Sequence, residues 1–330
     1  MNSPAFIISL DFELHWGRFD KVRLTEEQRH YRRTKEAVYR VLALFAKGEI
    51  AATWATVGML MADDFEEWEA NKPSLTPSYQ KQQFSAYEWA KGHKSKTESL
   101  FAPDLVRAII QTPRQELGSH TFAHYYTMEA GQQQEEFRAD LKACQRLAEE
   151  KFALKLHSLV FPRNQYDNPY LKIAAEAGFT AVRTNPGDWY WRHPHKENLI
   201  KKIFRTGDTL YPLGQKSSFH PADMGREKDM PLAIPASRLL RPFRPASFFN
   251  QRRIERIKME MTLAARLGEY YHLWWHPHNF GHCPEENLLA LKEILDHYQY
   301  LHQEYGMLSR NMEQICAAFE ATHIQNPTPR

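Results

Sequence analysis

Two kinds of hydrophobic pattern alternate along the chain. Short, almost continuous apolar runs, typical of buried strands, are separated by longer segments whose apolar residues recur at helical spacing. The apolar runs are AFIISLDFEL, AATWATVGML, HSLVFPRNQYD, TAVRTNP and YYHLWWHPHNF. The clearest helical segments are TEEQRHYRRTKEAVYRVLALFAKGEI, EAGQQQEEFRADLKACQRLAEEKF, NQRRIERIKMEMTLAARLGE and CPEENLLALKEILDHYQYLHQEYG. This order predicts an α/β fold with parallel strands joined by helical crossovers.

Two stretches interrupt this alternation. Residues 63–115 show little clean periodicity at their start, and residues 190–245 are rich in proline, glycine and arginine. We expect both to be irregular insertions in a single barrel-like α/β domain that spans residues 1–330. In the first long helix, Thr25 is expected to be the N-cap and Gly48 to end the helix.

Composition excludes several classes of protein. The net charge of +3 is too small to favour an electrostatic nucleic-acid binder. No stretch approaches 18 apolar residues, so no transmembrane segment is predicted. The start of the chain, MNSPAFIISLDFELHW, lacks a basic region and a small-residue cleavage site, which favours a cytoplasmic location. The sequence gives no indication of oligomeric state.

Polar residues that could do chemistry gather where the predicted strands end. In parallel α/β folds the carboxyl ends of the strands form one edge, and functional residues collect there. Their shared position is the reason to consider them together. They are Asp11, Glu13, His120, His124, Arg163, Asp188, His276 and His278.

The segment HTFAH contains two histidines, His120 and His124, four positions apart. On a helical turn such residues share one face, where two neutral imidazoles can bind one Zn²⁺ with a third ligand from elsewhere. Two ordinary histidines in a packed helix are the alternative. A carboxylate at the end of the first strand favours the metal site, because two histidines and one carboxylate suit catalytic zinc.

The first strand provides two carboxylates, Asp11 and Glu13. In an extended chain, residues two apart point the same way, so one carboxylate could bind a metal while the other acts as general base. Near the other end of the chain, His276 follows an apolar run and could be a general acid, with His278 and Asn279 placed to contact substrate. The alternatives are a pair of solvated acids and a histidine that is hydrogen-bonded in an aromatic core.

Taken in order, these motifs resemble those of the polysaccharide deacetylase family, also called carbohydrate esterase family four. ISLDFE resembles the first motif, an apolar strand that ends in two adjacent aspartates, and HTFAH matches the second, H-[S/T]-x-x-H. SLVFPRNQYD, GDWYW and LWWHPH resemble the third, fourth and fifth motifs. The motifs extend from residue 6 to residue 278, and the ordered set is more specific than any one of them.

The resemblance implies a distorted (β/α) barrel that holds a divalent metal, commonly zinc, and removes N-acyl groups, mostly acetyl, from amino sugars. His120 and His124 would be metal ligands, Asp11 the base and His276 the acid. Asp188 and Arg163 would orient the base. Trp189 and Trp275 would flank the pocket.

The chain departs from the family pattern at two positions. Phe12 replaces the metal-binding aspartate of the first motif, and a phenylalanine cannot bind zinc. Glu13 is the obvious substitute, but Asp11 could instead bind the metal and leave Glu13 as the base. In the third motif Pro162 stands where an arginine is usual, so Arg163 takes that role from one position along or the role is lost.

The resemblance therefore implies a metal-dependent hydrolase that removes an acyl group from an amino sugar or a sugar-containing precursor. With a cytoplasmic location, we expect a nucleotide-linked or lipid-linked amino sugar, or a small amide. The departures at Phe12 and Pro162 keep open a second reading, a carbohydrate-binding barrel without catalytic activity. A glycosidase that uses two carboxylates, or another amidase on a similar barrel, is a third reading, although it leaves HTFAH without a role.

Overall fold

The computed structural model of the protein describes residues 3–94, 98–192 and 198–325. Parallel strands form the centre of the fold, and helices pack around them. The strands are Ala5–Phe12 (β1), Ala52–Thr56 (β2), Gln115–Ser119 (β3), Ser158–Leu159 (β4), Ala181–Thr184 (β5), Leu232–Pro235 (β6), Arg238–Leu239 (β7), Tyr270–Trp275 (β8) and Leu308–Arg310 (β9). The helices are Leu24–Lys47 (α1), Phe65–Asn71 (α2), Ala86–Lys91 (α3), Pro103–Gln111 (α4), Gln134–Phe152 (α5), Asn168–Glu176 (α6), Leu199–Gly207 (α7), Asn250–Leu267 (α8), Pro284–Tyr305 (α9) and Met312–Gln325 (α10).

The sheet curls into a distorted barrel. Its strands run in the order β6-β5-β4-β3-β2-β1-β8-β7, and β9 pairs in parallel with the start of β1. Strands β6 and β7 lie at opposite ends of this order, yet only Ala236 and Ser237 separate them in the chain. The two ends of the sheet must therefore adjoin. The predicted (β/α) barrel is confirmed.

Alternation along β1 explains which of its side chains reach the site. Phe6 belongs to the large outer core that packs against the helices, and so does Phe12, whose ring meets Trp54 edge to face. Ile7 belongs to a smaller cluster inside the barrel. Because side chains alternate between the two faces of a strand, Asp11 lies on the interior face. Phe12, in the position of the missing aspartate, is a core residue.

Several predicted boundaries need correction. Helix α1 begins at Leu24 after Arg23, so Thr25 lies inside the helix and is not its cap, whereas Gly48 follows the last residue as expected. Within 190–245, strands β6 and β7 pair with β5 and β8, so this part of the predicted insertion belongs to the barrel. The region 63–115 contains α2, α3 and α4 and ends at the start of β3.

The carboxyl-terminal part of the chain contributes elements that the sequence reading left out. Strand β9 adds to the sheet beside β1, and α10 follows it. Among the described residues, no helix combines the length and the apolar character needed to span a bilayer.

Candidate active site

A cleft of about 680 Å³ opens at the edge of the sheet where the parallel strands end. It receives side chains from three neighbouring strands of the barrel. Asp11 and Glu13 come from the end of β1, His120 and His124 follow β3, and His276 follows β8. The structure therefore brings these residues together at one edge of the sheet, as the sequence predicted.

Glu13 lies at the centre of this group. Its Oε2 atom is 3.4 Å from Nε2 of His120 and 3.0 Å from Nε2 of His124, and all three side chains are buried. Gly17 leaves room for the Glu13 carboxylate, because a Cβ atom at Gly17 would lie 1.9 to 2.3 Å from the carboxylate atoms. The side chain of Glu13 is therefore confined against the two histidines.

The two histidines lie in an irregular loop, and the predicted helical turn is not present. Residues 120–127 after β3 have no helical assignment, and Thr121 and His124 adopt positive φ angles of 65° and 54°. Side chains near this segment, which we call the histidine loop, replace the missing helical hydrogen bonds. The buried carboxylate of Asp140 accepts from the backbone N–H groups of Phe122 and Ala123 at 2.6 and 3.1 Å.

The hydrogen bonds of the histidines fit a cation between them and Glu13. Nδ1 of His120 lies 2.7 Å from the carbonyl oxygen of Val160, so in the neutral ring this nitrogen carries the proton and donates it. Nε2 then presents a lone pair to the Glu13 carboxylate, which is also an acceptor. Burial lowers the pKa of His124 to about 4, so this ring is neutral at neutral pH. Two neutral imidazoles and one carboxylate are the donor set of many catalytic zinc sites.

Electrostatics favour the ionised form of Glu13. Burial alone would raise its pKa, but the nearby His276 is the largest of the influences that hold that pKa well below its usual range. A buried, ionised carboxylate with imidazole nitrogens around it is a suitable ligand for a hard or borderline divalent ion.

Asp11 has a different partner. Its two carboxylate oxygens accept from Nη1 and Nη2 of Arg183 at 2.6 and 2.8 Å, and both side chains are buried. Burial by itself would raise the pKa of Asp11, but the guanidinium lowers it below the usual value, helped by His276. Asp11 is thus held ionised and in a fixed orientation.

Arg183 therefore occupies the position beside the base that we predicted for Arg163 and Asp188. Arg163 instead pairs with Asp20 and Glu129 and stacks on the ring of Tyr126 at 3.8 Å, although it does line the cleft. Asp188 accepts from the backbone N–H of Gln215 at 2.8 Å and does not line the cleft. The pair that was expected to orient the base is not formed.

His276 is close to both carboxylates. Its Nε2 atom is 3.6 Å from Oδ2 of Asp11 and 3.8 Å from Oε1 of Glu13, and its side chain is partly exposed to the cleft. His278 is buried behind it, with Nδ1 at 3.5 Å from Oε1 of Glu13. Asn279 lies outside the cleft lining, and its backbone N–H donates to the carbonyl of His276.

The aromatic residues at the cleft are not the two that were predicted. Trp275 and Trp274 are neighbours in β8, so their side chains point to opposite faces of the strand. Trp275 is therefore buried in the outer core, where it stacks on Phe280. Trp189 is half exposed and does not line the cleft. Trp191 and Trp274 line it instead, and the guanidinium of Arg183 lies over the Trp274 ring at 4.3 Å.

Arg183 is the site residue that sequence reasoning missed. The signal was present, because arginine interrupts the short apolar strand AVRT and a charged residue in a buried strand is rarely left without a partner. Its partner could not be read from the sequence, since Asp11 is far away in the chain.

A second group of side chains also has ligand atoms close enough for a metal. Glu27, His30 and His282 lie near the start of α1 and the loop that precedes α9. Glu27 is already paired with Arg18 at 3.2 Å, and His282 is exposed. The group of Glu13, His120 and His124 is buried, and Glu13 has no arginine or lysine partner among the described residues. It is therefore the better candidate for a metal site.

The chain matches a protein-family model and several solved structures. Residues 30–182 match a family model described as polysaccharide deacetylase. No curated protein sequence matches the chain.

Solved structures match over nearly the whole chain. A Mycobacterium smegmatis protein assigned as a polysaccharide deacetylase is 15% identical with a TM-score of 0.62, covering 100% of this chain and 93% of its own. PuuE allantoinase is 13% identical with a TM-score of 0.59, covering 98% and 92%. A Pseudomonas aeruginosa PAO1 protein assigned as a polysaccharide deacetylase is 13% identical with a TM-score of 0.58, also covering 98% and 92%. At these identities the structural matches establish the shared fold.

Proposed function

We propose that the chain is a divergent member of the polysaccharide deacetylase family, whose model matches residues 30–182, and that it is a metal-dependent hydrolase. It would remove an N-acyl group, acetyl in the first instance, from an amino sugar. The observation that carries this proposal is the buried group of Glu13, His120 and His124 beside the ionised Asp11. Glu13 takes over the ligand role that Phe12 cannot perform.

The residues of the site divide between holding the metal and moving protons. We assign the metal to Glu13, His120 and His124, with zinc as the first ion to test. A divalent metal held by these residues would supply positive charge that polarises an amide carbonyl and lowers the pKa of a bound water. Asp11, kept ionised by Arg183, is placed to accept the proton of that water.

The leaving amine needs a proton before the amide bond can break. His276 is partly exposed in the cleft and lies within 3.8 Å of both carboxylates, so it can donate a proton to the nitrogen. Trp191 and Trp274 provide apolar walls against which a sugar ring can pack. His278 supports Glu13 from behind.

Metal content and activity together test the proposal. The purified protein should contain about one equivalent of a divalent metal, and Glu13→Gln and His120→Ala should lose it. Asp11→Asn should keep the metal but lose activity by about 10²–10⁴-fold on a panel of N-acetyl and N-formyl amino sugars. Glu27→Gln is the matched control, because Glu27 belongs to the second group of possible ligands and should have no effect on metal content.

Each alternative has its own outcome. Retention of metal in Glu13→Gln with loss in Asp11→Asn would exchange the roles of the two carboxylates. Absence of metal after reconstitution with several ions, combined with sugar binding, would favour a carbohydrate-binding barrel. Hydrolysis that survives removal of the metal by a chelator would favour a metal-independent hydrolase.

A further inference from the structure

Three arginines come close together in the segments after β7, and one of them, Arg241, lines the cleft. Arg241 comes two residues after β7 and lines the cleft, and Arg244 and Arg253 lie close enough to repel its charge. We call these three residues the arginine cluster. Leu239 pairs with Trp274 on the neighbouring strand, so the same register brings Arg241 level with His276. Arg241 and His276 both line the cleft.

The charges of this cluster have no counterpart in the described parts of the chain. None of the three arginines forms an ion pair with a carboxylate there. Nη2 of Arg241 donates to the backbone carbonyl of Arg205, at 3.5 Å. Among the residues that the structure describes, Nε of Arg241 and both Nε and Nη1 of Arg253 are buried and have no hydrogen-bond partner. Burial, followed by repulsion from Arg253 and Arg244, lowers the pKa of Arg241 to about 10.

Two neighbouring arginines, in contrast to the arginine cluster, are paired with buried carboxylates. Arg238 lies three residues before Arg241 and donates to both oxygens of Glu260 at 2.6 Å. Arg256 also pairs with Glu260, at 3.0 Å, and Asp208 lies 3.2 Å from Arg238. Two cations and two carboxylates balance each other there. The arginine cluster, in contrast, has no carboxylate partner among the described residues, and its unmatched positive charge is unfavourable in the protein alone.

We propose that the arginine cluster binds a phosphate group carried by the sugar substrate, with Arg241 making the direct contact. Guanidinium groups match phosphate oxygens with two parallel hydrogen bonds, and a phosphate bound at Arg241 would offset the repulsion among the three positive charges. The proposal rests on the proposed function and narrows its substrate class to phosphorylated amino sugars, which include sugars linked to a nucleotide or a lipid through phosphate.

Direct binding is tested first, with inorganic phosphate as the probe. Calorimetric titration should show binding to the wild-type protein and to His120→Ala, in which the metal centre is disabled. Arg241→Gln should weaken binding by about 10- to 100-fold, the effect expected for one hydrogen bond to a charged group. Arg29→Gln is the matched control for charge, because Arg29 is exposed on α1 and is outside the cleft lining.

Kinetics then separate a phosphate on the substrate from free phosphate. With N-acetylglucosamine 1-phosphate and its neutral methyl glycoside as paired substrates, Arg241→Gln should lower kcat/KM by about 10- to 100-fold for the phosphorylated sugar alone. The loss should appear mainly in KM, because the arginine binds a group that does not react.

Several results would overturn the inference. Phosphate binding that is absent in the wild type, or that disappears in His120→Ala and persists in Arg241→Gln, would show that the cluster does not bind phosphate. Equal loss of kcat/KM on both substrates would make Arg241 a structural residue. If neither sugar is hydrolysed, the proposed function fails on these substrates, while the titration still decides whether the cluster binds phosphate.

Discussion

Replacing Arg183 with methionine tests how the barrel holds the proposed base. The substitution removes two hydrogen bonds to Asp11, of 2.6 and 2.8 Å, and leaves a buried carboxylate without its cation. Contacts of about 3.1 Å with Ser9 and Asn164 are lost as well. Breaking a buried ion pair by removing one partner costs about 3–5 kcal/mol. Urea unfolding should therefore show a loss of that size at pH 7.

The pH dependence of stability tests the role of Arg183 more sharply than the loss of stability at pH 7. In the wild-type protein the lowered pKa of Asp11 contributes stability above its unfolded value, which the model peptide places at 3.8, and this contribution is lost as the pH falls through the folded pKa. Without Arg183, burial dominates and the folded pKa rises above the unfolded value. Stability of the variant then decreases as the pH rises. The difference between the two proteins should be larger at pH 7 than at pH 4.

Activity should shift in the same direction. If Asp11 is the base, only its ionised form is active, and its pKa sets the acid limb of the kcat/KM profile. Arg183→Met should move that limb to higher pH. Arg183→Lys should move it less, because lysine keeps the charge but cannot make two parallel hydrogen bonds to one carboxylate. The lysine variant also preserves the measurement if the methionine variant unfolds.

A matched variant separates the local effect from a general loss of stability. Arg238 is also buried and donates two hydrogen bonds to one carboxylate, that of Glu260, outside the cleft lining. Arg238→Met should destabilise the protein by a similar amount without moving the acid limb. Adding Asp11→Asn to Arg183→Met should recover part of the stability but no activity. An acid limb that stays in place in Arg183→Met would refute the assignment of Asp11 as a base held by Arg183.

Three further substitutions test the surroundings of the site. Gly17→Ala should weaken metal binding by about 10- to 100-fold in competition with a chelating dye, because the new Cβ would displace the Glu13 carboxylate; unchanged affinity would contradict this role. Asp140→Asn should lower stability in urea by about 1–3 kcal/mol, since an amide cannot accept from both N–H groups of the histidine loop. Burial raises the pKa of Asp140 from 3.8 to about 7, so the stability of the wild type should fall as the pH rises between these two values, and the asparagine variant should lack this slope. Gly281→Ala should lower stability by about 1–3 kcal/mol in thermal unfolding, because its Cβ would lie 2.5 Å from Thr34 Oγ1, and an unchanged Tm would show that the loop can move aside.

The barrel could be predicted because β1, β2, β4, β5 and β8 each carry a local signal. Strands buried on both faces appear as continuous apolar runs, and amphipathic helices follow them, so neither signal depends on distant residues. Strands β6 and β7 were placed in an insertion because they are short and flanked by proline. Their role in closing the barrel depends on partners in β5 and β8, which no local pattern identifies.

In the candidate site, too, local sequence patterns predict some features but do not identify distant partners. The position of Asp11 and Glu13 on one face follows from strand alternation alone, and the placement of Phe12 in the core follows from the same rule. The conformation of the histidine loop does not follow from the sequence, because histidines four positions apart are also compatible with a helical turn. The structure uses positive φ angles and the distant Asp140 carboxylate to direct both imidazoles toward Glu13.

Arg183 and Arg163 show why neighbouring positions in a motif do not ensure an equivalent role. Arg163 lies next to the position where the family carries an arginine, yet its side chain is directed to Asp20 and Glu129. Arg183 enters from β5 and crosses the barrel interior to Asp11, as a strand residue that points inward can. The need for a cation beside the buried Asp11 is thus met from a different strand. We infer that the electrostatic requirement of the base, rather than the position of the arginine in the sequence, is what the divergent site retains.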